Sequence, residues 1–202
     1  MKALKKTIYL SVFFCILSFA SFGQHSYSTV TYNMALPTSS LTDFVDEYSF
    51  RGIGLEYGRF VKEKLSAGIS LGWNVFYQAA PSATYDLENT LTVTGKTYRY
   101  INAYPLILKA HYYLGEPHKT PLLPYIGAGI GTTFARQRLD FGVYSYENNA
   151  WQFGVYPEIG TFYSINSNAN ITANIRYNIG FEAGGLPSVS FIGFNLGLAF
   201  SK

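Results

Sequence analysis

Charge is scarce in this chain, cysteine is almost missing, and no long apolar run follows residue 24. Asp, Glu, Lys and Arg make up 13% of the residues, about half of the ~25% in an ordinary soluble domain. Low charge combined with 18% aromatic residues excludes an intrinsically disordered chain. The single cysteine, Cys15, lies in an apolar stretch near the start, so disulfides and thiol chemistry are not available beyond it. After Gln24 no segment reaches the ~18 consecutive apolar residues of a membrane helix. Histidine is limited to His25, His111 and His118, too dispersed for a recognisable metal site. Neither a metal nor a cofactor is expected.

The opening MKALKKTIYLSVFFCILSFASFGQ has the pattern of a secretory signal. Lys2, Lys5 and Lys6 form the basic front, Ile8 to Phe19 the apolar middle, and Ser21 and Gly23 the small residues before Gln24. The pattern predicts removal of residues 1–23 and a single domain over 24–202. Phe14 stands before Cys15 where lipid attachment would need a small residue. Without the three leader lysines, fifteen basic residues become twelve, against twelve acidic ones. The remaining chain is neutral, so it lacks the clustered Lys and Arg that nucleic acid would require.

What the chain does have is strict alternation, the period of a strand with two different faces. In Leu65–Tyr77 the odd positions are Leu65, Ala67, Ile69, Leu71, Trp73, Val75 and Tyr77, and the even ones are mostly glycine, serine and asparagine. Eight such runs are predicted: Ser28–Leu36, Phe50–Val61, Leu65–Tyr77, Tyr98–Leu114, Pro124–Arg136, Trp151–Ile165, Ala169–Phe181 and Val189–Phe200. Short connections such as Lys62-Glu63-Lys64 and Asn166-Ser167-Asn168 take turns with longer ones. Tight turns at one rim and longer loops at the other are the arrangement of an up-and-down barrel. The expected fold is all-β: a closed, eight-stranded, antiparallel transmembrane β-barrel after a cleaved signal peptide.

The polar faces say which side meets lipid. A soluble barrel would show water many Lys and Glu, but here the polar faces carry glycine, serine, threonine and asparagine, which suit a narrow interior. The apolar faces place aromatics toward the strand ends, as interface girdles require. Trp73, Tyr77, Tyr104, Phe134, Trp151, Phe153 and Phe181 are expected at the long-loop rim. Tyr57, Tyr112, Tyr163 and Phe200 are expected at the tight-turn rim. An unpaired amide in hydrocarbon costs several kcal/mol, so the first and last strands must pair.

Parity puts a few charges inside. Glu158 and Arg176 are each nine positions from Ser167, so a three-residue turn there makes them cross-strand partners. Glu56, Lys109 and His111 share the lumen face, and Glu56 and Lys109 lie at a similar depth. The expectation is a neutral polar layer of two acids and two bases, with a structural role.

These features resemble the small eight-stranded bacterial outer-membrane β-barrel family, typified by the transmembrane domain of outer-membrane protein A and by outer-membrane protein X. The resemblance covers the chain after the leader. It rests on the signal, the eight alternating runs, PYIGAGIG at 124–131 and FIGFNLGLAF at 191–200. It implies an outer-membrane location with both mature termini periplasmic, contact with outer-membrane lipid, and a monomer. It also implies that Phe200 is the terminal aromatic read by the barrel-assembly machinery, although Ser201 and Lys202 follow it.

The resemblance implies a fold, not an activity. Some relatives modify lipids, but a hydrolase needs a nucleophile, a base and an orienting acid near the outer leaflet. By placement, His25, His111 and His118 all fall toward the tight-turn end. Gly127-Ala128-Gly129-Ile130-Gly131 lacks both the spacing and the following helix of a phosphate loop. The expected role is therefore non-enzymatic, structural or interactive, through loops 78–97 and 137–150 and an extracellular partner: adhesion, envelope integrity or assembly. Thr90–Tyr100 reads as a hairpin about Gly95-Lys96, and YSYENNAW at 144–151 as a turn at Asn148-Asn149. A narrow pore and an outer-membrane lipid-modifying enzyme are the alternatives.

Overall fold

A computed structural model of the chain describes residues 25–87, 91–116, 120–141 and 144–202. The leader at 1–23 and His118 lie outside the described residues. Eight strands follow in order: β1 (Ser26–Thr38), β2 (Gly52–Lys62), β3 (Leu65–Leu87), β4 (Leu91–Tyr113), β5 (Leu122–Phe141), β6 (Tyr144–Ser164), β7 (Ala169–Gly180) and β8 (Ser190–Ser201). Each pairs antiparallel with its sequence neighbour, and β1 pairs with β8 from Tyr27↔Ser201 to Thr38↔Ser190, so the sheet closes into a barrel. Closure leaves no strand edge within the wall, which is the condition for a sheet to sit in hydrocarbon.

The two-residue period sets the two sides of the wall. Glu56, Ser70, Lys109, Gln152, Asn174 and Arg176 face inward and are buried, whereas Leu71 is 51% and Ile175 44% exposed on the outside. Leu55, Leu108, Ile130, Ile159 and Leu196 are exposed with them. In water, each such side chain would forgo about 1.5–3 kcal/mol of burial. Facing acyl chains, it forgoes nothing. The interior glycines make room for side chains of the neighbouring strand. A Cβ on Gly127 would stand 2.6 Å from His111 Cδ2, and one on Gly72 would stand 2.9 Å from Pro105 Cγ.

Two hairpins run much further than the alternating runs predict. β3 and β4 close at Leu87↔Leu91, with an irregularity between Ala80 and Ala83 and with Gly95 opposite Ala83. The turn is therefore not at Gly95-Lys96. β5 and β6 close at Phe141↔Tyr144, and Asn148 and Asn149 are strand residues paired with Gln137 and Arg136. Segments 78–97 and 137–150 are thus mostly strand rather than loop. Beyond the lipid the outer face no longer meets acyl chains, so alternation is no longer required, and turn-favouring residues can occupy paired positions.

Two prolines leave gaps in the ladders without shifting register. The β3–β4 pairing passes from Leu71↔Leu106 to Asn74↔Ala103 around Pro105. The β6–β7 pairing passes from Val155↔Ile179 to Glu158↔Arg176 around Pro157. Proline has no N–H to give, so the ladder skips it.

Candidate functional site

The lumen is built in three layers. In the middle layer, Glu158 on β6 is the register partner of Arg176 on β7. Arg176 Nε donates to Glu158 Oε2 at 2.5 Å, and Arg176 Nη2 reaches across to Glu56 Oε1 at 2.5 Å. Lys109 Nζ lies 2.5 Å from Glu56 Oε2 and 3.7 Å from Glu158 Oε1. The four charges therefore alternate around a closed ring with no net charge. Ser70 donates to Glu56 Oε1 at 3.2 Å, and the Tyr125 hydroxyl donates to Glu158 Oε1 at 3.1 Å. His111 Nε2 stands 2.8 Å from Glu158 Oε1, and its ring stacks on Tyr125 with centroids 4.3 Å apart. Burial of a lone ion costs several kcal/mol, and only such pairing and hydrogen bonding offsets it.

On the tight-turn side the lumen is closed by four rings, each from a different strand. Tyr27 (β1), Phe60 (β2), Tyr113 (β4) and Phe162 (β6) form a closed circuit. Successive centroids are 6.0, 5.0, 6.1 and 5.5 Å apart, the last between Phe162 and Tyr27. On the other side an apolar cluster closes the mouth. Leu41 and Val45 from the β1–β2 connection, and Leu186 and Val189 from the β7–β8 connection, pack with Phe76, Ile101 and Phe191. Polar groups hold both connections in place. Arg99 Nη1 donates to Phe44 O at 3.1 Å. Gln152 donates to Leu186 O at 3.2 Å and to Pro187 O at 2.8 Å, and accepts from Val189 N at 3.0 Å. A two-residue turn at Gly184 and Gly185, with φ of 61° and 72°, lets the second connection fold back. Both values favour glycine.

Sequence parity alone leaves these two closures unnoticed. Tyr113 has the parity of Lys109, and Phe162 that of Glu158, so the lumen face of the rings is available in the sequence. Their mutual contact is not. Arg99 and Gln152 give no signal as clamps, because their partners are backbone atoms of distant loops.

Outside, the aromatic side chains form rows. Trp73 and Tyr104 stack with centroids 6.1 Å apart, Tyr104 meets Phe134 at 6.1 Å, and Phe134 meets Trp151 at 5.1 Å. Phe153 stacks on Phe181 at 6.1 Å. Tyr77 stands further out, against Tyr98, Tyr100 and Arg51. Tyr57, Tyr112, Tyr163 and Phe200 are about half exposed near the tight turns, and Phe200 pairs with Ser28 and Ala169. From Tyr104 to Tyr112 is about 26 Å along the strand, and from Trp151 to Tyr163 about 40 Å. A tilt of ~40° reduces these to roughly 20–30 Å, which brackets the ~25 Å apolar band of outer-membrane barrels.

Among the described residues, no group of three or more His, Cys, Asp and Glu side chains is arranged to hold a metal ion. No curated protein matches the chain significantly. Solved structures do. The outer membrane protein OprG of Pseudomonas aeruginosa is 14% identical with a TM-score of 0.54, over 89% of this chain and 96% of that one. Neisserial surface protein A is 15% identical with a TM-score of 0.53, over 89% and 97%. The attachment invasion locus protein Ail of Yersinia pestis is 11% identical with a TM-score of 0.52, over 89% and 99%. At these identities the likeness is one of fold. The family model for the outer membrane protein beta-barrel domain matches residues 8–200. With nearly the whole length matched and the wall closed, the chain belongs to the outer membrane protein β-barrel family.

Proposed function

We propose that this protein is a non-conducting, non-enzymatic barrel that holds a rigid sheet outside the outer membrane and binds an extracellular partner with it. The observation that carries this reading is the extension of β3 to β6 past the aromatic rows. β3 continues from Trp73 to Leu87, about 46 Å along the strand, and β5 from Phe134 to Phe141, about 23 Å. Because β4 remains paired with β5 up to Thr97↔Phe141, the two hairpins form one four-stranded sheet. Past the rows, the last described backbone hydrogen bond from β3 toward the β2 side is Val75 N to Arg51 O, and the last between β6 and the end of β7 is Phe181 N to Phe153 O. The edges beyond these bonds accept an extended segment by strand addition. Exposed Tyr144 and Tyr146 add the aromatic surface on which interfaces rely.

In this reading both mature termini face the periplasm, Phe200 is the aromatic recognised during assembly, and the ion ring is structural. A sheet projecting from the long-loop rim supports adhesion more directly than catalysis. The decisive test compares cells producing the full chain with cells producing a chain whose β5–β6 tip is removed. Adhesion should fall with the tip while the barrel remains in the outer membrane. Unchanged adhesion, or a consistent mass change in lipid A on expression of the full chain, would defeat the proposal.

A further inference from the structure

The tight-turn mouth holds a cavity of about 370 Å³, which neither the ion ring nor the projecting sheet uses. Its volume falls in the ~300–1,000 Å³ range of small-molecule sites. The four-ring layer is its floor. The Tyr27 hydroxyl is held by Ser66 Oγ at 3.1 Å and His111 Nδ1 at 3.2 Å, and the Tyr113 hydroxyl by Ser66 Oγ at 3.2 Å. Both hydroxyls are committed to the lumen and Tyr113 is fully buried, so the ring surface that meets the mouth is carbon, chiefly that of Phe60 and Phe162.

The opposite wall is polar. Ser164 on β6, Asn170 on β7 and Ser201 on β8 line it. Asn170 Nδ2 donates to Ser201 Oγ at 3.2 Å. That leaves the Ser201 proton and the Asn170 carbonyl oxygen for a further partner. Among the described residues, no Asp, Glu, Lys, Arg or His lines the cavity.

This division selects among ligands. An anion or cation entering the mouth would lose water and find no counter-charge among the described lining residues. An acyl chain would bury the Ser201 proton and the Asn170 carbonyl oxygen without bonding them, which weakens its binding. A sugar ring has what the mouth lacks: a flat C–H face for the rings, and hydroxyl and amide groups at its edge. We propose that the tight-turn mouth is a binding site for a neutral sugar ring, with Phe60 and Phe162 under its apolar face and Asn170, Ser201 and Ser164 at its polar edge. The inference does not depend on which compartment the mouth faces.

The test uses the full mature chain in phosphatidylcholine nanodiscs free of sugar detergents, with ¹³C-labelled leucine methyl groups. Leu123 lines the cavity, and Leu71 on the outer wall serves as the internal control. Titration with a β-linked N-acetylhexosamine disaccharide should shift the Leu123 methyls saturably and leave those of Leu71 in place. Asn170→Ala should weaken binding by about 5-fold, the loss of one hydrogen bond. Ser164→Phe should abolish binding by filling the mouth, while both variants keep the gel migration of a folded barrel. The inference is overturned if octanol shifts Leu123 and the disaccharide does not, if neither ligand shifts it, or if both variants bind like the parent. Should the variants fail to fold, the two titrations of the parent chain still decide.

Discussion

At the scale of single residues, the ion ring separates what chain order encodes from what only closure supplies. The partnership of Glu158 with Arg176 is legible as arithmetic about Ser167. The contact of Arg176 with Glu56, 120 positions away, is not, because the lumen brings together strands that never pair. Removing one member should strand the rest. Glu158→Ala and Arg176→Ala are each expected to cost up to about 3–5 kcal/mol, and the double variant less than their sum. Urea unfolding in lipid vesicles measures this, and simple additivity would mean that the two side chains do not interact. Packing around His111 gives a second prediction. The ring is fixed between Tyr125, Tyr27 and Glu158, so it cannot retreat from a methyl group placed on Gly127. Gly127→Ala should therefore cost about 1–3 kcal/mol through overpacking, read by the same unfolding assay. Gly185, which has nothing within 4 Å of its Cβ position, makes a poor control because of its positive φ, so Ala128→Gly on the outer face serves instead.

At the scale of elements, alternation marks the wall and fails at the tips. Leu65–Tyr77 and Ala169–Phe181 are legible because lipid on one side and lumen on the other enforce a two-residue period. Asn148 and Asn149 mislead because the β5–β6 tip lies past the aromatic rows, where no acyl face enforces the two-residue period. There the pairing is supported by surface polar contacts across the hairpin instead: Glu147 lies 2.5 Å from Arg136 and 3.9 Å from Arg138, and Ser145 donates to Asp140 at 2.7 Å. The Asp140 carboxyl is held below the usual carboxylate range, first by the hydrogen bond from Arg138 and then by that from Ser145. A lowered carboxylate contributes stability that is present above its unfolded pKa of ~3.9 and is lost as pH falls through the folded value. Amide exchange at Phe141 and Tyr144, corrected for intrinsic rates, should quicken once pH drops below about 4, and Asp140→Asn should remove the step. Register also shows where the tip can be cut. Because Gln137 faces Asn148 and Arg136 faces Asn149, deleting residues 137–148 and joining the ends by a short turn preserves every pair below. The shortened protein should still fold, shown by different gel migration when unboiled, and loss of that difference would mean that the tip is needed for the wall.

At the scale of the whole molecule, the lumen is a stack of seals: four rings, four charges and an apolar lid. Planar bilayers containing the folded protein should show no stable openings, and steady conductance would contradict the stack. The polar and glycine-rich lining is readable in the sequence, but the lid is not, since Leu41, Val45 and Leu186 lie in connections with no periodicity to read. Closure also joins the start of β1 to the end of the chain. Ser26 N donates to Lys202 O at 3.1 Å, and Lys202 N donates to Ser26 O at 2.8 Å. The polypeptide is in effect a hoop cut at one arbitrary point, and the cut can be moved. A circular permutant, with His25 linked to Lys202 and new ends opened between Ser167 and Asn168, should refold in vitro into the same cylinder. In cells the permutant no longer presents Phe200 at a tail, so its success or failure there isolates recognition of the tail from the energetics of the hoop.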